Sequence, residues 1–312
     1  ISAYRRFVER GVVALIMLEA ASPLKSMVEK DEVPMFAMGI TEDTMYPPGW
    51  VYSYFPTEAE RFAVTADWIR ENWKEERPPR IAFITTDTSY GRDPLQQSEK
   101  YAKSIGMEWL PPAFVPYVVL DATPQLLRLS ERGADFVYIG PIWPTALPIL
   151  RDAERLGLMG KIRFCGFENT LGANLVKTLG PSAEGYFAPK VGPWWTDMEN
   201  PGIKLVKDIQ MRYRGKVEEM EGYEVAHKAP PVMGEAIRKA IEKVGYENLD
   251  GRAVKEALYS IKDFDPYGLG PITYTPEDHR GSNIVRIYQA TRDGKIVPVS
   301  DWREAPILAP GN

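Results

Sequence analysis

The sequence predicts an α/β protein built on mainly parallel sheets, and three observations predict it. Short apolar runs alternate with helix-period segments over most of the chain. Several of these runs, IAFIT and FVYIG among them, are apolar at nearly every position, as in strands covered on both faces. Parallel neighbours need a crossover connection, and the amphipathic stretches between the runs are long enough to supply it.

Taken in order, "ISAYRRFVERGVVALIML" reads as the tail of an amphipathic helix entering a strand over Val12–Leu18. Further strands are expected at Met35–Met38, Ile81–Thr85, Trp109–Val115, Phe136–Ile139, Arg163–Phe167 and Gly185–Ala188. Helices are expected between them at Pro23–Asp31, Glu58–Trp73, Gly91–Ile105, Thr123–Arg132, Thr145–Leu156 and Leu171–Leu179. The alternation breaks at "PKVGPWWTDMENPG", whose prolines and glycines suit a linker or hinge. Helices follow at Ile203–Arg214, Pro230–Val244 and Gly251–Ser260. Asn283–Tyr288 and Lys295–Val299 then form a hairpin around "TRDGK", because Asp-Gly is a strong turn signal.

Composition narrows the class. A chain of 312 residues with 44% hydrophobic and 26% charged residues can bury a sizeable core, and its length suits two domains. A net charge of −5 and the lack of a dense Lys/Arg run with interleaved aromatics argue against a nucleic-acid partner. One cysteine and two histidines, far apart in sequence, make a zinc site improbable, and Cys165 on an apolar strand reads as an inert core thiol. There is no run of 18 apolar residues. The glycine patterns of dinucleotide and nucleotide sites, the nucleophile elbow and H-E-x-x-H are all absent, so neither a cofactor nor a catalytic machinery is expected.

Ligands of open α/β sheets sit beyond the carboxyl ends of the strands. Five such ends carry small, hydroxyl, aromatic or acidic residues: Ala20–Ser22, Gly39–Thr41, Tyr90–Gly91, Ile142–Trp143 and Glu168. An acid after a buried strand can be a helix cap, a catalytic base or the partner of a bound cation, and the residues alone leave all three open. Thr41 also suits a plain helix cap, Tyr90 a core position, and Trp143 hinge packing.

The blocks "RIAFITTDTSYGRD", "GADFVYIGPIWPTALPILRDAERLGL", "RFCGFENTLG", "AEGYFAPK" and "GLGPITYTPEDHRGSNIVRIYQATRDGKIVPV" together resemble the type I extracytoplasmic solute-binding proteins of ABC importers, in the branched-chain amino-acid binding group. The resemblance implies two lobes, each a mainly parallel sheet with helices on both faces, joined by three hinge crossovers. On that basis the first lobe takes residues 1–78 and 192–272, the second 79–191 and 283–304, and 273–282 form the third crossover. It also implies a leading strand–helix–strand in the first lobe, a unit of roughly 30 or more residues, which this sequence does not contain.

The resemblance further assigns site residues. Glu168 is the acid that holds a ligand ammonium, and Tyr90 flanks the ligand. Thr41 in "MGITED" holds its carboxylate, with Gly39 and Ile40 beside it at the ligand, and Ala21 and Ser22 in "LEAASP" stand where the family prefers a Gly- and Ser-rich turn that receives the same carboxylate. Ile142 and Trp143 line the cleft, and Tyr223 closes over the side chain. The implied function is non-enzymatic: capture of an amino acid, or a small amine or amide, outside the cytoplasm, and delivery to a membrane permease. A ligand-sensing domain of the same fold that regulates a partner is the alternative. A hydrolase using Glu168 as base would lack a nucleophile.

Overall fold

The computed structural model describes residues 1–140 and 145–310, with the backbone alone at residues 18–20. Strands β1 (Leu15–Ala20), β2 (Met35–Gly39) and β3 (Val51–Tyr52) form a three-stranded parallel sheet in that order. The second sheet has nine strands: β4 (Arg80–Thr86), β5 (Glu108–Trp109), β6 (Ala113–Val115), β7 (Phe136–Ile139), β8 (Arg163–Gly166), β9 (Phe187–Lys190), β10 (Ile284–Ala290), β11 (Ile296–Pro298) and β12 (Arg303–Glu304). Its path runs β11-β10-β9-β8-β7-β4-β5, with β6 also on β4 and β12 on β10. The ladders from β4 to β9 are parallel, and β10 enters antiparallel beside β9. Together the two sheets make the α/β architecture that the alternation predicts, in the two lobes that the resemblance implies.

Strand alternation divides the large sheet's faces. Phe83, Phe136, Tyr138, Cys165, Phe187 and Ile287 point to one core, and Ile84, Val137, Ile139, Phe164, Ala188 and Tyr288 to the other. The first core continues without a break to Phe36 and Tyr52 of the small sheet and to Val232 and Leu258 on the helices Ala229–Val244 and Gly251–Leu258.

Several expectations are corrected at proline. Trp109–Val115 is not one strand but two, β5 and β6, because Pro111 and Pro112 lack the N–H groups a ladder needs. The Gly91–Ile105 helix is likewise two, Ser89–Arg92 and Leu95–Ser104, parted at Pro94. The first strand begins at Leu15 rather than Val12. The short strand β3 was not expected from its two residues.

The Glu58–Asn72 helix packs on the nine-stranded sheet: Phe62 meets Phe83 and Tyr138 at ring distances of 5.0 and 5.2 Å, and Trp68 meets Phe187 at 4.8 Å. Its large aromatic residues match the Phe-rich face of that sheet. The Pro201–Arg214 helix, expected in the first lobe, places Ile203 and Val206 in the core that holds Trp194, Trp195 and Tyr288.

Candidate functional site

In the first lobe, the ends of β1 and β2 meet. The Ala21 N–H donates to Gly39 O at 2.8 Å, which carries the pairing one residue beyond the strands. Ala21 and Ile40 are buried in the apolar core, so toward a ligand they offer backbone only. Ser22 Oγ lies 3.3 Å from Thr41 Oγ1, which brings the two hydroxyls together. Thr41 is also the cap of the Glu42–Met45 turn: its N–H donates to Thr44 Oγ1 at 2.8 Å, and Thr44 Oγ1 donates back to Thr41 O at 2.8 Å. The helix-cap role considered for Thr41 is thus present in the structure.

In the second lobe, Tyr90 sits in the first turn of Ser89–Arg92, where Thr88 Oγ1 accepts from the Gly91 N–H at 3.1 Å. Any side chain at Gly91 would collide with the Thr86 carbonyl, which explains the glycine beside Tyr90. The Tyr90 phenol is pushed above its ordinary value by burial; Arg61 opposes this, and Glu58, Asp93 and Glu168 add to it. These groups thus share one electrostatic neighbourhood.

Glu168 opens the turn Glu168–Thr170 directly after β8, and it is buried. Its Oε2 accepts from Arg61 Nη1 at 2.7 Å, a residue the sequence reading did not single out. Arg61 Nη2 lies 3.2 Å from Glu58 Oε2, one helical turn earlier, and the guanidinium stacks between Phe55 and Phe167 at 5.1 and 4.7 Å. Tyr138 OH donates to the other Glu58 oxygen. Burial pushes the Glu58 carboxyl up to about 8, against the pull of Arg61. The one available sequence signal for Arg61 was the charged Glu58–Arg61 pair at (i, i+3) on a helix buried nearly all round.

One lysine holds the rest of the turn, and a second is buried near it. Lys190, at the end of β9, donates to Glu168 O at 2.7 Å and Leu171 O at 2.8 Å, and its ammonium lies 4.2 Å from the Trp194 ring centre. Lys228 donates to Val191 O at 2.9 Å, and burial lowers it to about 8. Glu224 is raised to about 8, chiefly by burial, and its Oε2 has no partner among the described residues. Tyr54 OH is buried and unpartnered in the same sense, and its phenol feels Glu168. Buried polar atoms are normally paired, so such atoms mark places where a polar ligand can be accommodated.

Tyr223 packs against aromatic neighbours of its own turn and of the preceding segment. Its ring lies 6.2 Å from Trp195, stacked, and 4.8 Å from His227, and Glu224 is the residue of that turn that faces Lys190 and Glu168. Ile142 and Trp143 lie outside the described residues. Cys165 is fully buried and its thiol is pushed up by burial, in line with an inert core position.

The lobes touch where these turns face each other. The Glu42 N–H, next to Thr41, donates to Asp93 Oδ2 at 3.3 Å, three residues from Tyr90. On the other side, Glu221 lies against Gly172, and Gly222 against Asn169.

Comparison with known proteins agrees with this architecture. Over 194 residues, 62% of this chain and 51% of the relative, the chain is 24% identical to the leucine-specific-binding protein of Salmonella typhimurium, so the match spans about half the length of that curated relative. A branched chain amino acid ABC transporter from Thermus thermophilus, solved with bound valine, superposes with a TM-score of 0.85 at 24% identity, covering 97% of this chain and 81% of that one. A fatty acid ABC transporter substrate-binding protein from Thermomonospora curvata superposes with a TM-score of 0.82 at 17% identity, covering 100% and 79%. The family model described as periplasmic binding protein matches residues 1–295, and the chain belongs to that family.

Proposed function

We propose that this chain is the solute-binding component of an ABC importer, and that it captures an amino acid or a related small amine or amide between its lobes outside the cytoplasm. Hinge closure is the mechanism: one lobe binds first, and contacts to the second favour the closed form. The observation that carries this reading is the Glu42–Asp93 contact, which seats the Thr41 turn of one lobe against the Tyr90 turn of the other. Ser22 and Thr41 supply hydroxyls from one side, and Tyr90 and Glu168 a phenol and a carboxylate from the other.

Glu168 remains able to receive an ammonium, because Arg61 takes only Oε2 and Oε1 accepts no hydrogen bond among the described residues. A charge-assisted bond from an amine to that oxygen is about twice as strong as a neutral one. A loaded binding protein hands its ligand to a membrane permease, the partner this function requires. The ligands of the structural relatives, valine for one and a fatty acid for another, support a small-molecule cargo and leave its chemistry to this chain's own residues.

Thermal-shift screening against amino acids, amides, aromatic acids and fatty acids tests the reading. A true ligand at 100 times its Kd raises stability by about 2.7 kcal/mol. For an amine ligand, Glu168→Gln weakens binding; unchanged amine affinity in that variant would remove the ammonium role from Glu168.

A further inference from the structure

The site has carboxylates from both lobes that its own cations leave unmatched. Glu42, at 3% exposed, is buried where the lobes meet. Its Oε1 accepts from the Ala59 N–H at 3.4 Å, while Oε2 is buried without a partner among the described residues. Opposite stands Asp93, which accepts from the Glu42 N–H and faces the Glu42 carboxyl. Burial, and then Glu42, push the Asp93 carboxyl up to about 9.

The nearby cations are committed elsewhere. Arg61 is shared between Glu58 and Glu168 and donates its Nε–H to Thr57 O at 3.4 Å. Lys25 donates to the Asp43 carbonyl rather than to a carboxylate. Arg92 turns to Asp87 at 2.5 Å and stacks on Phe114 at 4.2 Å. Among the described residues, no Lys, Arg or His therefore pairs with Glu42 or Asp93. Like-charged carboxylates taken out of water repel strongly, and a cation between them removes the repulsion.

We propose that Glu42 and Asp93 form a subsite, one carboxylate from each lobe, that clasps a primary ammonium or guanidinium group of the ligand, so that the captured solute carries a net positive charge. This rests on the capture reading above and narrows its ligand class. The same contact couples binding to closure, since the cation is held by both carboxylates only when the lobes are together. Tyr90, which feels Asp93, puts the subsite beside the ligand position expected from the strand ends.

Isothermal titration with putrescine, agmatine and L-arginine as cationic probes, L-leucine as a zwitterion and p-hydroxybenzoate as an anion tests the proposal. At least one cationic probe binds, and Glu42→Gln and Asp93→Asn each raise its Kd roughly 30-fold or more, as expected for truncating one partner of a buried charge pair. Unliganded Asp93→Asn melts at or above the parent temperature, because a repulsion has been removed, and so shows that the variant is folded. No binding by any cationic probe overturns the subsite, as does cation affinity unchanged in both variants. Titration in buffers of different ionisation enthalpy supplies a second readout. Release of about one proton per ligand is expected, because the cation displaces the proton that Asp93 holds when unliganded; binding with no proton released would mean that a proton still bridges the two acids, and would also overturn the proposal. Binding of leucine or p-hydroxybenzoate alone would sink this subsite and leave solute capture standing.

Discussion

Replacing Arg61 with methionine keeps much of the side-chain volume and removes the one guanidinium between Glu58 and Glu168. All three side chains are almost fully buried, at 2%, 2% and 5% exposed, with N···O distances of 3.2 and 2.7 Å. At an effective dielectric constant near 20, each unit-charge pair at such range contributes about 4 kcal/mol. Part of that gross attraction offsets the desolvation of the guanidinium, which the methionine variant no longer incurs. The net loss is then about 3–5 kcal/mol, the cost of leaving buried charge without its partner. The loss has a pH signature. Without Arg61, the Glu58 carboxyl, already raised to about 8 by burial, loses the charge that lowers it and rises further, so the folded variant keeps that proton to higher pH and loses stability as pH rises. Urea denaturation at pH 5 and pH 8, followed by tryptophan fluorescence and far-UV circular dichroism, should show a deficit that is larger at pH 8. The triple variant Glu58→Gln/Arg61→Met/Glu168→Gln should recover most of it. A loss below about 1 kcal/mol at pH 8, or a deficit equal at both pH values, would refute the assignment of Arg61 as the charge that holds these acids.

Two further outcomes follow from the fold around the site. His279 is buried, stacked on Tyr52 at 4.1 Å, with Nδ1 3.3 Å from Val51 O and Nε2 3.1 Å from Tyr259 OH, and burial lowers its pKa from 6.5 to about 4. Because the folded value is depressed, stability is full above pH 6.5 and is lost as pH falls toward 4, by roughly 3 kcal/mol; His279→Gln should flatten that part of the urea-midpoint profile relative to the parent. Gly91→Ala drives a methyl into the Thr86 carbonyl, which as backbone cannot yield, so a loss of about 1–3 kcal/mol is expected in thermal or urea denaturation, together with weaker ligand binding through Tyr90. A neutral Gly91→Ala would show that the turn carrying Tyr90 is free to shift.

Much of this architecture was legible because it is written locally. Apolar runs such as IAFIT and FVYIG become β4 and β7 with both faces covered, and Asp293-Gly294 turns the β10–β11 hairpin with Gly294 at φ +82°. The site was legible in outline for the same reason: Ser22, Thr41, Tyr90 and Glu168 each follow a strand, and strand ends point where ligands bind. The misreadings are also physical. Pro94 and the Pro111–Pro112 pair interrupt elements whose apolar pattern runs straight through them, and pattern counts apolarity while proline removes a hydrogen bond.

By itself, the sequence determined the order of the elements, the parallel sheets and the strand ends that carry polar groups. Tertiary structure alone decided which sheet the Glu58–Asn72 helix packs on, since an aromatic helix face fits either sheet until Phe83 and Phe187 are placed opposite it. It alone decided that Tyr223 leans on Trp195 and leaves Glu224 facing Lys190. It also decided the charge pairing. Arg61 and Glu168 stand 107 residues apart, and Glu42 and Asp93 stand 51 apart. Periodicity reports which face of an element is buried, whereas the partner of a buried charge depends on how distant elements pack, and that information exists only in three dimensions.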